Sequence, residues 1–161
     1  MPGIVRLTPV FAVSPQIAAG DIAAIAAGGF RAIVAVRPDA EHDGSPQAGD
    51  IERLARARGL AFRYAPASSH DLMEPETVSR FEAAVEGLEG PVLAYCKSGT
   101  RAAMVWALAA ARHHPAACVS AALRAAGVDP EIIADELLDQ RRASSVKPAS
   151  LAVVCRELAV A

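Results

Sequence analysis

The chain contains 161 residues, of which 53% are hydrophobic and 4% aromatic, and its formal net charge is −2. This length supports one substantial core and is too short for two independent domains. Because the charges are balanced, no broad positive field is available to hold a nucleic acid, and nucleic-acid partners are not expected. No segment approaches the roughly 18 apolar residues that cross a bilayer, and no basic stretch leads into an apolar one near the start, so we expect a cytoplasmic protein without a membrane partner.

Short β-rich segments alternate with helical segments in the first part of the chain. The strands are predicted at residues 4–13, 32–36, 61–64 and 92–95. A chain that alternates in this way is typical of an α/β fold with a mostly parallel sheet of about four to five strands and helices on both faces. The ends of the intervening helices are marked by glycine, proline and acidic residues, at Gly20, Asp21, Gly28, Gly29, Pro46, Gly59, Glu74 and Pro75.

The chain beyond Arg101 is predicted to be entirely helical. One helix extends to about residue 112, a second to 126, and a third begins at Asp129 and Pro130. We therefore expect one domain over residues 1–161, with a core at 1–115 and a helical extension at 116–161 packed on it. A final helix after Pro148 places four residues at helical spacing for that packing: Leu151, Val154, Cys155 and Leu158.

The segment that carries most chemical information is residues 91–101, with the sequence PVLAYCKSGTR. An apolar strand runs directly into Cys96, Gly99 and Arg101, and a helix follows at once. Backbone N–H groups of such a turn and of the first helical turn point into one concavity, where the helix dipole adds positive charge. The sequence therefore predicts an anion-binding loop with Cys96 at its base.

Cys96 is the predicted nucleophile of this loop. The oriented amides, Arg101 and Lys97 favour its thiolate, which is the reactive form of a cysteine. Arg101 provides a planar fork that can hold two oxygens of a tetrahedral anion and stabilise developing charge. The alternative is a buried strand-end cysteine next to an ordinary helix start. Around Cys96 and Arg101, the predicted anion-binding loop comprises Lys97, Ser98, Gly99, Thr100 and Ala102, of which Ser98 and Thr100 can add hydroxyl donors.

Neither a metal nor a cofactor is predicted. The three cysteines lack a CxxC pattern and do not make a disulfide framework. Cys118 and Cys155 lie in apolar helical stretches, where we expect them to be core residues rather than redox partners of Cys96. Metal-ligand spacing is absent among the four histidines, His42, His70, His113 and His114.

Several short motifs accompany the loop: VSPQ at 13–16, GFR at 29–31, RPD at 37–39 with Glu41, and WAL at 106–108. Together with residues 91–101 they resemble a bacterial family of phosphatase-like domains, which is also found fused to metallo-β-lactamase-type persulfide dioxygenases and is often labelled a sulfurtransferase. The resemblance covers about the first two thirds of the chain. It implies a dual-specificity-phosphatase-like fold, with Cys96 as nucleophile and Arg101 as holder of the oxyanion.

Two features separate this chain from that family. The family carries a serine directly after the loop arginine, whereas this chain has Ala102, so a hydroxyl that could assist departure from the Cys96 sulfur is absent. The helical segment from about residue 116 lies outside the resemblance, and the chain contains no HxHxDH metal motif of a fused dioxygenase.

The spacing between Cys96 and Arg101 bears on the substrate. Phosphatases of this fold are expected to place five residues between these two positions, whereas rhodanese-type sulfurtransferases place four, as this chain does. One fewer loop amide makes a phosphoryl group harder to surround than a single persulfide sulfur. We therefore predict a sulfurtransferase that takes sulfane sulfur from a persulfide or thiosulfate, holds it as a Cys96 persulfide and passes it to an acceptor thiol.

Two alternatives stay open beside sulfur transfer. The first is a cysteine-based phosphatase that acts on phosphate esters through phosphocysteine, and the second is a non-catalytic module that binds a phosphoanion in the same loop. A phosphatase would benefit from a general acid that protonates the leaving group. The candidate acid is Asp71, between the third strand and the third helix, with Asp39 as a weaker one, and for Asp71 a simple helix cap is the structural alternative.

Overall fold

A computed structural model of the protein describes residues 3–41, 44–140, 151 and 153. Across the sheet the strands follow the order β1-β2-β5-β3-β4. β1 is antiparallel to β2, and the other neighbouring pairs are parallel, as predicted. The five strands are β1 (Val5–Thr8), β2 (Phe11–Ser14), β3 (Ala32–Ala35), β4 (Ala61–Tyr64) and β5 (Val92–Tyr95).

The prediction of one strand over residues 4–13 is wrong, because this segment forms a hairpin. Pro9 and Val10 separate β1 from β2, and Thr8 lies opposite Phe11. Proline has no N–H with which to continue a ladder, so the chain reverses there. Within the turn, Val10 N donates a hydrogen bond to the Thr8 hydroxyl at 3.3 Å. The apolar pattern identified the β conformation of the segment but not its reversal.

The described residues include six α-helices. The predicted end signals are present at several of them: Gly28 caps the C-terminus of the first helix, and Pro75 is the first residue of the third. Short 3-10 turns at Ala19–Asp21 and Glu131–Ile133 precede the first and the last helix. The α-helices are α1 (Ile22–Ala27), α2 (Ala48–Arg56), α3 (Pro75–Val85), α4 (Thr100–Ala111), α5 (Ala116–Ala125) and α6 (Ala134–Asp139).

Helices cover both faces of the sheet. Side chains alternate between the two faces along each strand, so Ile33 and Leu93 belong to one apolar cluster while Val34 and Ala94 belong to the other. The first cluster takes its helical residues from α1 and α2, including Ile22, Ile25 and Ile51. The second takes them from the later helices, including Phe81, Trp106, Leu123 and Leu137.

Helix α4 lies at the centre of the larger cluster. All residues from Ala102 to Ala111 are buried, and α4 packs on α3, α5, α6 and β2. The Trp106 ring stacks on Phe11 at a centroid distance of 5.8 Å, and Phe11 meets Phe81 edge to face at 6.2 Å. This aromatic group connects the hairpin to α3 and α4, and it thereby fixes the helix that follows Cys96.

The predicted C-terminal packing can be followed at two positions. Leu151 is fully buried in the larger cluster and Val153 packs against it, while the other predicted contacts at Val154, Cys155 and Leu158 lie outside the described residues. The expectation that Cys118 is a core thiol is wrong, because this half-buried residue of α5 is disulfide-bonded. Within the described ranges, no helix has the length and apolar character needed to cross a membrane.

Replacing Trp106 with alanine is expected to lower the free energy of unfolding by about 3–5 kcal/mol, because the ring is fully buried and its loss leaves a cavity beside Phe11. Urea denaturation followed by circular dichroism measures this. Leu138→Ala is the control, since Leu138 is 64% exposed, and it should cost less than about 0.5 kcal/mol. Equal losses in the two variants would contradict the proposed core.

Candidate active site

Four loops meet at one edge of the sheet. Because β2, β3, β4 and β5 are parallel, their carboxyl ends point the same way, and the loops that follow them lie side by side. The loop after β5 carries Cys96, and the loop after β3 carries Arg37 and Glu41. The loop after β4 carries Asp71. The fold therefore places the predicted loop and the predicted acid on the same edge.

Cys96 lies at the base of its loop and is fully buried. Its sulfur accepts a hydrogen bond from the Gly99 N–H at 3.1 Å. The loop after β2 holds the backbone on both sides of this contact, since Cys96 N donates to Ser14 O at 3.4 Å and Gln16 N donates to Lys97 O at 3.3 Å. One loop amide thus faces the sulfur, as the sequence predicts.

Gly99 is the residue that lets the loop curl back onto the sulfur. Its φ of +95° lies in the left-handed region, which side chains other than glycine rarely adopt. A Cβ at this position would lie 3.3 Å from the Ser14 carbonyl carbon and 3.4 Å from the Ser14 oxygen. Both the conformation and the close approach to β2 therefore require glycine.

The loop and the first turn of α4 present several unpaired backbone donors. The first backbone hydrogen bond of the helix runs from Ala103 N to Gly99 O, and Thr100 N donates to the Ser98 hydroxyl at 3.4 Å. First-turn amides have no acceptor within their own helix and are the usual donors to bound anions. In the described part of the chain, no acceptor is found for the N–H groups of Lys97, Ser98, Arg101 and Ala102.

The Arg101 guanidinium is held by two neighbouring loops. Its Nη1 donates to Glu41 Oε1 at 2.6 Å and to Ala67 O at 2.9 Å, and its Nη2 donates to Glu41 Oε2 at 2.9 Å. The side chain is 12% exposed. Among the described residues, Nε–H and the second Nη2 hydrogen have no acceptor, and these two donors share one edge of the guanidinium. Glu41 thus occupies one edge and leaves the other for a ligand.

Glu41 bridges two guanidiniums. Its Oε2 also accepts a hydrogen bond from Arg37 Nε at 3.2 Å. The hydrogen bond from Arg101 is the main cause that lowers the pKa of the Glu41 carboxyl below its usual value, with burial opposing it and Arg37 adding to it. Arg37 is itself 6% exposed and donates through Nη1 to Gln16 Oε1 at 3.0 Å and to the Ser45 hydroxyl at 2.7 Å.

Asp71 closes the turn that precedes α3. Its Oδ1 accepts hydrogen bonds from Ser68 N at 2.7 Å and from the Ser68 hydroxyl at 2.9 Å. The same segment reaches Arg101 through Ala67 O. Asp39, the weaker candidate acid, instead accepts from Ala48 N at 2.7 Å, where α2 begins. The carboxylate of Asp39 is therefore placed as a helix cap, and the role of Asp71 as an acid stays a prediction.

The remaining predicted loop residues occupy the rim. Lys97, Ser98 and Thr100 are exposed, and the hydroxyls of Ser98 and Thr100 bond to each other at 3.2 Å. Ala102 is fully buried in α4 and offers only its backbone to the loop. In the described ranges, no group of three or more His, Cys, Asp or Glu side chains could hold a metal ion.

A small polar depression adjoins the loop on the Glu41 side. Tyr95 is one of its lining residues, and burial, the main cause, together with the nearby Asp39 carboxylate raises the pKa of the Tyr95 hydroxyl, so it stays protonated. Glu41 connects the depression to Arg101, while Arg101 and Cys96 do not line it. Its polar lining residues include Gln16, Arg37, Asp39, Glu41, Ser45 and Gln47.

Sequence reasoning did not assign roles to Glu41, Arg37 and Gln16. All three were part of the motifs that carry the family resemblance, but their contacts to Arg101 and to the loop depend on which strands are neighbours. The signal available was the position of Arg37 and Glu41 in the loop that follows β3. Charged residues in that position on a parallel sheet lie at the ligand-binding edge.

The ion pair of Glu41 predicts a pH dependence of stability. Because the folded pKa of Glu41 is lowered from 4.5, its contribution is fully present above pH 4.5 and is lost as the pH falls through the folded value. The difference in unfolding free energy between the wild type and Glu41→Gln should therefore shrink at acidic pH. Denaturant titrations from pH 3 to 7 test this, with exposed Glu89→Gln as the control. A difference that stays constant with pH would contradict it.

Comparison with known proteins agrees with the fold. The family described as "Beta-lactamase hydrolase-like protein, phosphatase-like domain" matches residues 4–113. A beta-lactamase hydrolase-like protein of Xylella fastidiosa (strain Temecula1 / ATCC 700964) is 35% identical over 105 residues, which are 65% of this chain and 24% of that protein. The chain therefore spans about a quarter of the length of this curated relative.

Two crystal structures show the same architecture. A candidate phosphatase from Neisseria meningitidis Z2491 superimposes with a TM-score of 0.72 at 31% identity, over 86% of this chain and 98% of that one. Human DUSP28 superimposes with a TM-score of 0.60 at 22% identity, over 87% and 93% of the two chains, and this likeness concerns the fold alone. The chain therefore belongs to the family of phosphatase-like domains found in beta-lactamase hydrolase-like proteins.

Proposed function

We propose that this protein is a cysteine-based phosphatase that hydrolyses phosphate esters through a phosphocysteine at Cys96. The family and the dual-specificity-phosphatase-like fold support this reading better than sulfur transfer. The Neisseria meningitidis structure is described as a phosphatase and the curated relative as a beta-lactamase hydrolase-like protein, and neither name refers to sulfur transfer.

The observation that carries the proposal is the set of donors around Cys96. Four backbone N–H groups of the loop and of the first turn of α4 have no acceptor among the described residues, and one edge of Arg101 is open. The short spacing between Cys96 and Arg101 favours sulfur transfer only if the loop has too few backbone amides to bind the oxygens of a phosphoryl group. These donors are numerous enough for the three non-bridging oxygens of a phosphoryl group, which supports the phosphatase over sulfur transfer.

The proposed reaction has two steps. In the first, the Cys96 thiolate attacks phosphorus, the sulfur–phosphorus bond forms, and the bond to the leaving oxygen breaks as that oxygen takes a proton. In the second, water attacks phosphorus, the sulfur–phosphorus bond breaks, and the thiolate and inorganic phosphate are released. Arg101 and the loop amides stabilise the charge on the non-bridging oxygens in both steps.

Asp71 is the proposed proton donor to the leaving oxygen in the first step, and its carboxylate would take a proton from water in the second. Its segment contacts Arg101 Nη1 through Ala67 O and lies on the same edge of the sheet as Cys96, which supports this role. Oδ1 already accepts two hydrogen bonds from Ser68, so Oδ2 is the oxygen that would carry the transferred proton. This division lets one carboxylate hold the turn and serve as acid and base.

The nature of the covalent intermediate is the decisive measurement. After acid quench of a reaction with an aryl phosphate, peptide mass spectrometry should find a phosphoryl group on Cys96, and the same experiment with thiosulfate should find no sulfur adduct. Cys96→Ser should abolish turnover while it retains phosphate binding. Arg101→Lys should weaken both, because lysine lacks the planar fork.

Other outcomes of that experiment would reject the proposal. A persulfide on Cys96 after thiosulfate, without hydrolysis of the aryl phosphate, would establish sulfur transfer instead. Tight phosphate binding by the wild type, with neither adduct nor turnover, would establish a non-catalytic binding module. A Cys96→Ser variant with full activity would exclude this residue as the nucleophile.

The role of Asp71 predicts a dependence on the leaving group. Asp71→Asn should lower kcat about 100-fold for an alkyl phosphate and only about twofold for a nitrophenyl ester, which needs no proton. Asparagine keeps a carbonyl oxygen that can accept both Ser68 hydrogen bonds, so the turn is retained. Asp39→Asn is the matched control at the α2 cap. Equal losses for both esters in Asp71→Asn would remove its assignment as the acid.

A further inference from the structure

We propose that Arg37 is a positioning residue for this reaction, which holds Glu41 and the Cys96 loop in place and thereby sets the orientation of Arg101. The inference rests on the proposed function and extends it to a residue outside the loop. Arg37 donates hydrogen bonds to Glu41 and to Gln16, and each of these residues contacts the loop directly.

The first connection runs through Glu41. Its Oε2 accepts from Arg37 Nε at 3.2 Å and from Arg101 Nη2 at 2.9 Å, so a single oxygen joins the two guanidiniums. Glu41 is 32% exposed and lies in the loop after β3, where its backbone N donates to Pro38 O at 3.2 Å. Arg37, which is 6% exposed and lies two residues after β3, adds a restraint on the Glu41 carboxylate itself.

The backbone next to Arg37 is held by hydrogen bonds on both sides. Val36 N donates to Tyr95 O at 2.9 Å, and Ala67 N donates to Val36 O at 2.9 Å, so the residue before Arg37 is bonded to β5 on one side and to the loop after β4 on the other. A side chain that leaves such a position and is nearly buried has few alternative rotamers. It can therefore fix the carboxylate to which it is bonded.

The second connection runs through Gln16. Its Oε1 accepts from Arg37 Nη1 at 3.0 Å, while its backbone N donates to Lys97 O at 3.3 Å. Lys97 directly follows Cys96. Arg37 thus acts on Arg101 through one partner and on the start of the loop through the other, and its planar fork allows both hydrogen bonds at once.

The charges agree with this role. Glu41 pairs with Arg101, and Arg37 adds a second guanidinium that holds the same carboxylate. Buried ion pairs add little to stability on average, since desolvation offsets their attraction. The location of the Arg37–Glu41–Arg101 ion pairs next to the Cys96 loop is therefore better explained by a positioning role than by a purely structural role.

A double-mutant cycle tests the connection through Glu41. Arg37→Lys keeps the charge but cannot reach both partners, and it should lower kcat/KM for an aryl phosphate about tenfold. Glu41→Gln should cause a similar or larger loss. In the Glu41→Gln background, Arg37→Lys should cause a smaller loss than in the wild type, because the effect that runs through Glu41 is already gone and only the connection through Gln16 remains. Losses that multiply in full would overturn the inference that Arg37 acts through Glu41.

A matched control separates positioning from packing. Arg112, at the far end of α4, is equally buried and donates to Gln140, to Glu82 and to the Ser79 hydroxyl. Arg112→Lys should therefore lower the unfolding midpoint at least as much as Arg37→Lys does, with kcat/KM changed less than about twofold. If both variants lowered kcat/KM in proportion to their loss of stability, Arg37 would be a structural residue only.

Binding of inorganic phosphate distinguishes the failure of this inference from failure of the proposed function. In the Cys96→Ser background, Arg37→Lys should weaken phosphate binding about tenfold by calorimetry, whether or not the wild type turns over an ester. No turnover with Arg37-dependent phosphate binding would reject the phosphatase and retain the positioning role. Normal turnover and normal binding in Arg37→Lys would reject the positioning role and retain the phosphatase.

Discussion

The paired hydrogen bonds between Glu41 and Arg101 are the contact on which the geometry of the candidate active site depends, at the carboxyl edge of the sheet. They join the loop after β3 to the first turn of α4, at 2.6 and 2.9 Å, and the Ala67 carbonyl adds the loop after β4 to the same guanidinium. Three separate loops thus converge on one cation. Because Glu41 binds one edge of the Arg101 guanidinium, the protein fixes the direction of the other edge before any ligand binds.

Helix α4 is held at both ends by buried charged groups. At its start, Arg101 bonds to Glu41; at its end, Arg112 bonds to Glu82, and His113 also contacts Glu82. Between these ends every residue from Ala102 to Ala111 is buried. The helix therefore cannot shift without breaking one of two ion pairs or disturbing the aromatic packing of Trp106.

The sequence predicted the elements whose signals are local. Pro75, Gly28 and the apolar run before Cys96 mark boundaries that the structure reproduces, because capping and strand propensity act over a few residues. The hairpin at Pro9 was not predicted, because two short apolar strands in succession have the same pattern as one longer strand. The partners of Arg101 escaped for a different reason: Glu41 is distant in the chain, and only the β5-β3 neighbourhood brings it close.

The composition of α4 restricts how this edge can vary. A helix surrounded on all sides by sheet and by other helices approaches its neighbours closely, and alanine is the side chain that permits this; six of the ten residues from Ala102 to Ala111 are alanine. Any larger residue there would overpack the interior. Differences in ligand preference among relatives should therefore arise from the exposed rims of the loops after β2, β3 and β4, while the helical floor beneath Cys96 stays nearly invariant in volume.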